Sequence, residues 1–289
     1  MQVHLVDGTY ELFRQHFGQA ARHEDPGPFA AAAGVVASTL QLVAEGATHV
    51  GVASDHVIES FRNELWPGYK TSAGMPEELL LQIPIVEVAL QAAGFTVWPM
   101  VEHEADDALG AAAMVAAADD RVERVLILTP DKDLGQCIGG KVVQFDRRKG
   151  EIVDRDGVIA KFGVPPESIA DYLALVGDSA DGYPGLPGWG AKSAAAVLAR
   201  YGSIEAIPDQ VGKWDVPGLR GAPKLAATLA EQRELALLFR RIATVDVTCE
   251  VGTVDDWRWV GPTADFPDVA RDLGAPALAE RAARLARAR

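Results

Sequence analysis

Through its first half the chain alternates short apolar runs with longer stretches of helical period. Val3–Asp7, Thr48–Asp55, Phe95–Met100 and Arg124–Asp133 read as buried strands, and Lys141–Asp146 adds a fifth. Between them, residues 30–46, 76–94 and 104–118 place apolar side chains at helical spacing, the first two stretches ending on glycine. Strand–helix alternation predicts an α/β fold, a mainly parallel sheet with helices on both faces. After Gly150 the pattern changes. Residues 165–178, 191–202 and 222–245 read as helices with no convincing strand between them. A boundary is therefore expected near residue 160. The arginine-rich end, Arg281–Arg289, is expected to be a helix or a frayed tail.

Composition narrows this picture. A 289-residue chain with 48% hydrophobic and 24% charged residues can bury a substantial core. Cys137 and Cys249 show no ligand spacing, so a reduced, cytoplasmic protein without disulfides is expected. The N-terminus has no basic region ahead of an apolar one, and Asp7 interrupts the apolar stretch, which argues against a signal peptide. The charge-free run from Pro26 to Ala44 contains Gly, Pro, Ser, Thr and Gln, which suits a buried helix better than a membrane span.

The net charge of −14 argues, taken alone, against a nucleic-acid partner. Its distribution argues the other way. Between Gly185 and Arg241 eight basic residues face five acidic ones, a net of +3. The cations thus concentrate around the stretch GLPGWGAKS, Gly185–Ser193. That stretch resembles a phosphate-binding loop, but Ala191 separates Gly190 from Lys192, so the G-x-x-x-x-G-K-[ST] pattern fails by one position. A glycine turn opening a helix still offers free N–H groups and a positive dipole end to an anion. An interhelical turn that binds nothing fits the loop equally well.

The acids are more telling. In a parallel sheet, ligands bind beyond the C-terminal strand ends. The first two predicted strands end at Asp7 and Asp55, the third leads into Glu104, Asp106 and Asp107, and the fourth into Asp131 and Asp133. The helical half adds Asp178 and Asp181, spaced i, i+3. Each could be an ordinary helix cap. Together they would repel one another, and hard divalent cations relieve such repulsion. Oxygen ligands without His or Cys point to Mg²⁺ or Mn²⁺. The number of carboxylates suggests two or more ions, an arrangement suited to displacement at phosphorus.

The segments LVDGTYELFR, FRNELWPGYK, EADDALG, TPDKDLGQ, the run from Lys161 to Leu198 and IATV at Ile242–Val245 resemble the 5′-nuclease family: flap endonucleases and the 5′-3′ exonuclease domain of bacterial DNA polymerase I. The resemblance covers about residues 1–250. It implies a PIN-like, metal-dependent core over residues 1–160 with a helical arch at about 60–95, then an all-α helix-hairpin-helix (H3TH) region over 161–250 and a C-terminal extension over 251–289. By position it implies that Asp7, Asp55, Glu104 and Asp106 hold one ion. Asp131, Asp133 and Asp181 would hold another, with Asp107 and Asp178 nearby. Arg62 and Lys70 would meet the scissile phosphate and Tyr69 would stack on the terminal base; without the resemblance, all three read as a solvated helix face. Gly188, Gly190, Lys192 and Ser193 would hold duplex phosphates, and the family often places K⁺ in this hairpin. Two departures stand out: Ala73 replaces a frequent arginine, and Asp181–Gly182 replaces Asp-Asn.

The expectation is a monomeric 5′-3′ exonuclease or flap endonuclease of replication and repair. It would act on DNA with 5′ flaps, nicks or frayed ends, with RNA-primed duplex as a further substrate. The alternative is a catalytically inactive paralogue that binds junctions, although none of the main acids is missing. A P-loop enzyme and a small-molecule phosphatase fit less well, the first because of Lys192 and the second because of the basic helical half.

Overall fold

The computed structural model describes residues 1–20 and 27–288, with the side chains of 19 and 20 left aside. Pro26 and Arg289, which belong to the charge-free run and the arginine-rich end, lie outside the described residues. Contacts divide the chain into two compact units. The first comprises Met1–Ile58, Ser72–Thr129 and Asp246–Arg289; the second comprises Glu59–Thr71 and Pro130–Val245.

In the first unit β1 (Gln2–Asp7), β2 (His49–Asp55), β3 (Thr96–Met100) and β4 (Arg124–Leu128) lie in the order β3-β2-β1-β4. Every one of these pairings is parallel. The first six residues of β2 are all buried, as expected for a strand covered on both faces. The covering helices are α1 (Gly8–Ala20), α2 (Ala30–Ala44), α4 (Glu77–Leu80), α5 (Gln82–Ala92) and α6 (Ala105–Ala118). α6 packs along all four strands, while α1, α2 and α5 pack together, with α1 and α5 against β2. The helix expected over 76–94 is interrupted at Leu81, and Pro84 supplies the reason. It lacks an N–H and its ring would crowd the carbonyl of residue 80 in a continuous helix.

The C-terminal residues of this unit cover the β3 side of the sheet. The indole N–H groups of Trp98 and Trp257 both donate to the Val251 carbonyl, and that of Trp259 donates to Ala93. The last two helices, α12 (Phe266–Asp272) and α13 (Ala277–Arg287), pack on α5 and α2 respectively. Leu278 and Ala282 of α13 are buried, so the arginine-rich end is a docked helix through Arg287.

The second unit opens with α3 (Phe61–Leu65) and contains the antiparallel pair β5 (Val142–Asp146) and β6 (Glu151–Val153). Its other helices are α7 (Arg155–Phe162), α8 (Ile169–Val176), α9 (Ala191–Tyr201), α10 (Ala222–Glu231) and α11 (Arg233–Ala243). α8 is the central element, packed on α9, α11 and the 3₁₀ turn Asp133–Cys137. The fourth strand is shorter than its apolar run suggests: it stops at Leu128, ahead of Pro130, which cannot donate to a ladder. Gln232 leaves helical geometry (φ −117°, ψ 27°) and divides the predicted helix over 222–245 into α10 and α11. No helix among the described residues is long and apolar enough to cross a membrane.

Candidate metal centre and nucleic-acid interface

In the first unit, the strand ends deliver their acids to one edge. Asp7 ends β1 and caps α1, accepting from the Tyr10 N–H (2.8 Å) and the Thr129 hydroxyl (2.9 Å). Asp55 ends β2, where its carboxylate accepts from the Ala105 N–H at the start of α6 (2.8 Å). Its own N–H donates to the Thr9 hydroxyl (2.8 Å). Both neighbours of Asp55 are tied to Glu87 of α5: the Ser54 hydroxyl at 2.6 Å and His56 Nδ1 at 2.7 Å. Glu87 is a buried acid inside the apolar run IPIVEVAL, and that anomaly was the sequence signal for this support. Glu104 is buried at the N-cap of α6, and Asp106 is partly exposed in its first turn.

Asp107, expected beside the ligands, is fully buried and accepts from the Glu104 N–H (2.9 Å) and the Asp246 N–H (2.8 Å) with its two oxygens. An enclosed carboxylate serving two backbone donors is a helix cap, which orients Glu104 at the helix entrance.

In the second unit the structure gathers Asp133, Asp178 and Asp181, with one carboxylate oxygen from each lying within 4.8 Å of the others. Asp133 begins the 3₁₀ turn, while Asp178 and Asp181 belong to the loop after α8, which a Asp178–Tyr183 backbone bridge closes. Burial, then the negative charge of Asp131, Asp181 and Asp178, push the Asp133 carboxyl well above the usual carboxylate range, with Lys132 opposing. Asp133 Oδ1 is buried without a hydrogen-bond partner. Asp131 is exposed and accepts from the Asp133 N–H (3.0 Å). Cations already attend this group: Lys132 pairs with Asp178, and Lys70 Nζ lies 3.3 Å from Asp181. Burial works against the Lys132 charge, but Asp178, Asp133 and Asp131 more than offset it and raise its proton affinity. Oxygen-only donors, crowded charge and an orphaned carboxylate oxygen fit a divalent cation.

The glycine after Asp181 has a structural reason. Gly182 sits at φ +81°, and a Cβ there would lie 2.1 Å from the Gly68 carbonyl oxygen. The segment 66–70 straps onto this loop through the Lys70 N–H to the Asp181 carbonyl (3.0 Å) and Trp66 Nε1 to the Gly182 carbonyl (3.1 Å). Only glycine permits that approach.

Arg62 and Tyr69, placed by resemblance at the scissile phosphate and the terminal base, are both buried. Arg62 is thus no solvated helix face. Its Nε donates to the Ile242 carbonyl (2.8 Å) and Nη2 to the Thr244 carbonyl (2.9 Å). Gln136 clasps the same segment, donating to the Ala243 carbonyl (3.0 Å) and accepting from the Val245 N–H (3.0 Å). The orphan carbonyls that end α11 are thereby satisfied. Tyr69 is also buried, at 4% exposure, so its ring is not presented to a base; the Lys70 ammonium lies 5.6 Å from its centroid.

At the glycine loop, Gly190 is the N-cap of α9. The Ser193 hydroxyl accepts from the Gly190 N–H and donates to its carbonyl, both at 3.0 Å, so Ser193 closes the cap itself. A groove of about 670 Å³ opens here, with Gly188, Gly190, Lys192 and Ser193 on one side and Gly218 and Arg220 on the other. Arg220 is a cation that spacing alone did not single out. It stands twenty-eight residues beyond Lys192, and the fold returns it to the same groove.

The chain matches the family model of the 5′-3′ exonuclease N-terminal resolvase-like domain over residues 2–163, and that of the 5′-3′ exonuclease C-terminal SAM fold over residues 164–265. The chain belongs to the 5′-3′ exonuclease family. A 5′-3′ exonuclease of Aquifex aeolicus is 32% identical over 208 residues, covering 71% of each chain. DNA polymerase I of Pseudomonas aeruginosa is 35% identical over 261 residues, 89% of this chain. This family member spans only 28% of that polymerase's length. Its fold is also that of the T5 D15 protein co-crystallized with metal ions (TM-score 0.69, 19% identity, 99% of this chain and 98% of the other). The catalytic core of Rad2 in complex with DNA substrate shares it as well (TM-score 0.63, 16% identity, 98% and 92%).

Proposed function

We propose that the chain is a structure-specific 5′-nuclease that hydrolyses phosphodiesters of DNA bearing 5′ flaps, nicks or frayed ends, with Mg²⁺ or Mn²⁺ as cofactor. The single observation that carries this reading is the group Asp133, Asp178 and Asp181, which brings one carboxylate oxygen from each residue within 4.8 Å of the others, a crowding that a divalent cation would relieve. In this reading they hold one ion, with Asp131 beside them. Asp7, Asp55, Glu104 and Asp106 are the ligands proposed for a further ion. Bound divalent cations supply neutralisation of phosphate charge and activation of water.

The chain's own residues do the rest. Glu87, through Ser54 and His56, fixes the end of β2 and so the direction of Asp55. Asp107 holds the entrance of α6, where Glu104 and Asp106 stand. Lys70, paired with Asp181, supplies a cation that can pass to a phosphate oxygen and stabilise charge developing there. Lys192, Arg220 and the first N–H groups of α9 hold backbone phosphates of a duplex. Such contacts position the substrate without reading its sequence. The division into a core over 1–160, a helix-hairpin-helix region over 161–250 and an extension over 251–289 is proposed on the same basis, as is a monomeric state.

The test is to digest a 5′-labelled flap, a nicked duplex and an RNA-primed duplex side by side and map the products. Cuts at or near the base of the flap, dependent on Mg²⁺ or Mn²⁺, support the reading. Binding without cleavage in either metal would leave the junction-binding paralogue in its place.

A further inference from the structure

Beside the three clustered carboxylates lies a residue that the proposed chemistry has not used. Tyr183 is 1% exposed, and its hydroxyl has no hydrogen-bond partner. Its backbone pairs with that of Asp178 in both directions, N–H to carbonyl at 3.1 Å and 2.9 Å, so the ring is anchored to the loop that carries Asp178 and Asp181. Against the other side its ring packs on Phe239 (5.5 Å between centroids), which fixes its orientation. A phenol hydroxyl can both donate and accept a hydrogen bond.

Two buried polar atoms are thus orphaned, Asp133 Oδ1 of the cluster and the hydroxyl of Tyr183, whose backbone pairs with Asp178. Buried polar groups without partners are rare and call for a missing participant. A lone water could bridge a donor and an acceptor, but it would add no positive charge to a cluster whose carboxylates outnumber the attending Lys132 and Lys70. A hydrated divalent cation answers both needs. The carboxylates take the ion, and a water of its shell, made a strong donor by the ion's field, finds the phenol oxygen as acceptor.

We propose that Tyr183 is the outer-sphere partner of a divalent cation held by Asp133, Asp178 and Asp181, its hydroxyl oxygen accepting a hydrogen bond from a water of the ion's hydration shell. The proposal rests on the metal-dependent reading of this group. Tyr183 is a positioning residue: it touches neither substrate nor ion, and it fixes how the ion's water is oriented. Partners of this kind commonly govern metal affinity about as strongly as 10- to 100-fold.

The experiment is a Mn²⁺ titration of the full chain by calorimetry, with melting curves in the absence and presence of Mn²⁺, for wild type, Tyr183→Phe and Asp133→Asn. Phenylalanine keeps the ring on Phe239 and removes only the oxygen. Expected for Tyr183→Phe is a metal-free melting temperature equal to or above that of wild type, since a buried orphan has gone. Expected with it is Mn²⁺ binding weakened about 10- to 100-fold. Asp133→Asn should lose the same binding event altogether. Tyr183→Phe that binds Mn²⁺ as wild type does, while Asp133→Asn loses it, overturns the role of Tyr183 and leaves the metal reading standing. A lower metal-free melting temperature with unchanged affinity also overturns it, in favour of a packing role. Wild type that binds no Mn²⁺ overturns both.

Discussion

Replacing Arg62 with alanine separates two roles that its sequence position cannot. Its guanidinium holds the carbonyls of Ile242 and Thr244 at 2.8 and 2.9 Å. The two bonds differ in what their loss costs. Ile242 is buried, so its carbonyl would be stranded, at about 1–3 kcal/mol. Thr244 is exposed, and water can replace the arginine there at roughly 0–1 kcal/mol. The guanidinium also sits 4.6 Å from the Phe61 ring centroid, worth about 0.5–1 kcal/mol. Arg62→Ala is thus expected to destabilise the fold by about 3 kcal/mol, a large share of the roughly 5–15 kcal/mol typical of a folded protein. For a chain of this size that is a fall of roughly 6–12 °C in melting temperature. Arg62→Lys should recover part of it by keeping one donor. The assay is a melting curve for each variant, paired with single-turnover cleavage at a temperature where all remain folded. A melting temperature unchanged in Arg62→Ala, with cleavage lost, would rule out the structural role and return Arg62 to the phosphate.

Other substitutions probe the remaining parts. Gly190→Val is a clean probe of the groove because a Cβ there meets nothing within 4 Å, so the fold should survive with a cap cost of about 1 kcal/mol. It should weaken duplex binding and leave the rate at saturating substrate nearly unchanged; wild-type binding at every salt concentration would make the loop only a turn. Lys192→Ala should lower the slope of log K against log salt by about one unit, read from binding isotherms in Ca²⁺. Gly182→Asn should cost more than about 2 kcal/mol, since both positive φ and the Gly68 carbonyl oppose a side chain, and a melting temperature near wild type would contradict that. Lys70→Ala should slow single-turnover cleavage far more than it weakens substrate affinity; a change in affinity alone would make Lys70 an ordinary phosphate clamp.

The parallel sheet was legible because β1, β2 and β4 are apolar runs bounded by turns, and terminal acids mark the ends of β1 and β2. What the sequence hid was mostly long-range. Nothing near Arg62 announces that its partners lie 180 residues away at the end of α11. The same holds for Gln136 and Ala243, so motifs that look independent, FR, DKDLGQ and IATV, are three sides of one clasp. Pro84 and Gln232 break helices that periodicity alone runs together, because period counts apolar faces and not missing donors. α7 escaped notice because its charged, weakly periodic sequence is held by its ends, the Asp154 cap and the left-handed Gly163. Asp107 carried the same acidic signature as its neighbours, and its capping role shows only in the structure, where its oxygens take the Glu104 and Asp246 N–H groups.

If Asp133, Asp178 and Asp181 hold a cation on which phosphodiester hydrolysis depends, cleavage of a 5′-labelled flap DNA across a Mg²⁺ titration should separate wild type from Asp133→Asn, with DNA binding measured in parallel. The prediction is metal-dependent cleavage by wild type, none above background by Asp133→Asn, and DNA binding by the variant as tight as wild type or tighter. Cleavage by Asp133→Asn at the wild-type rate and with the same metal dependence would contradict the claim.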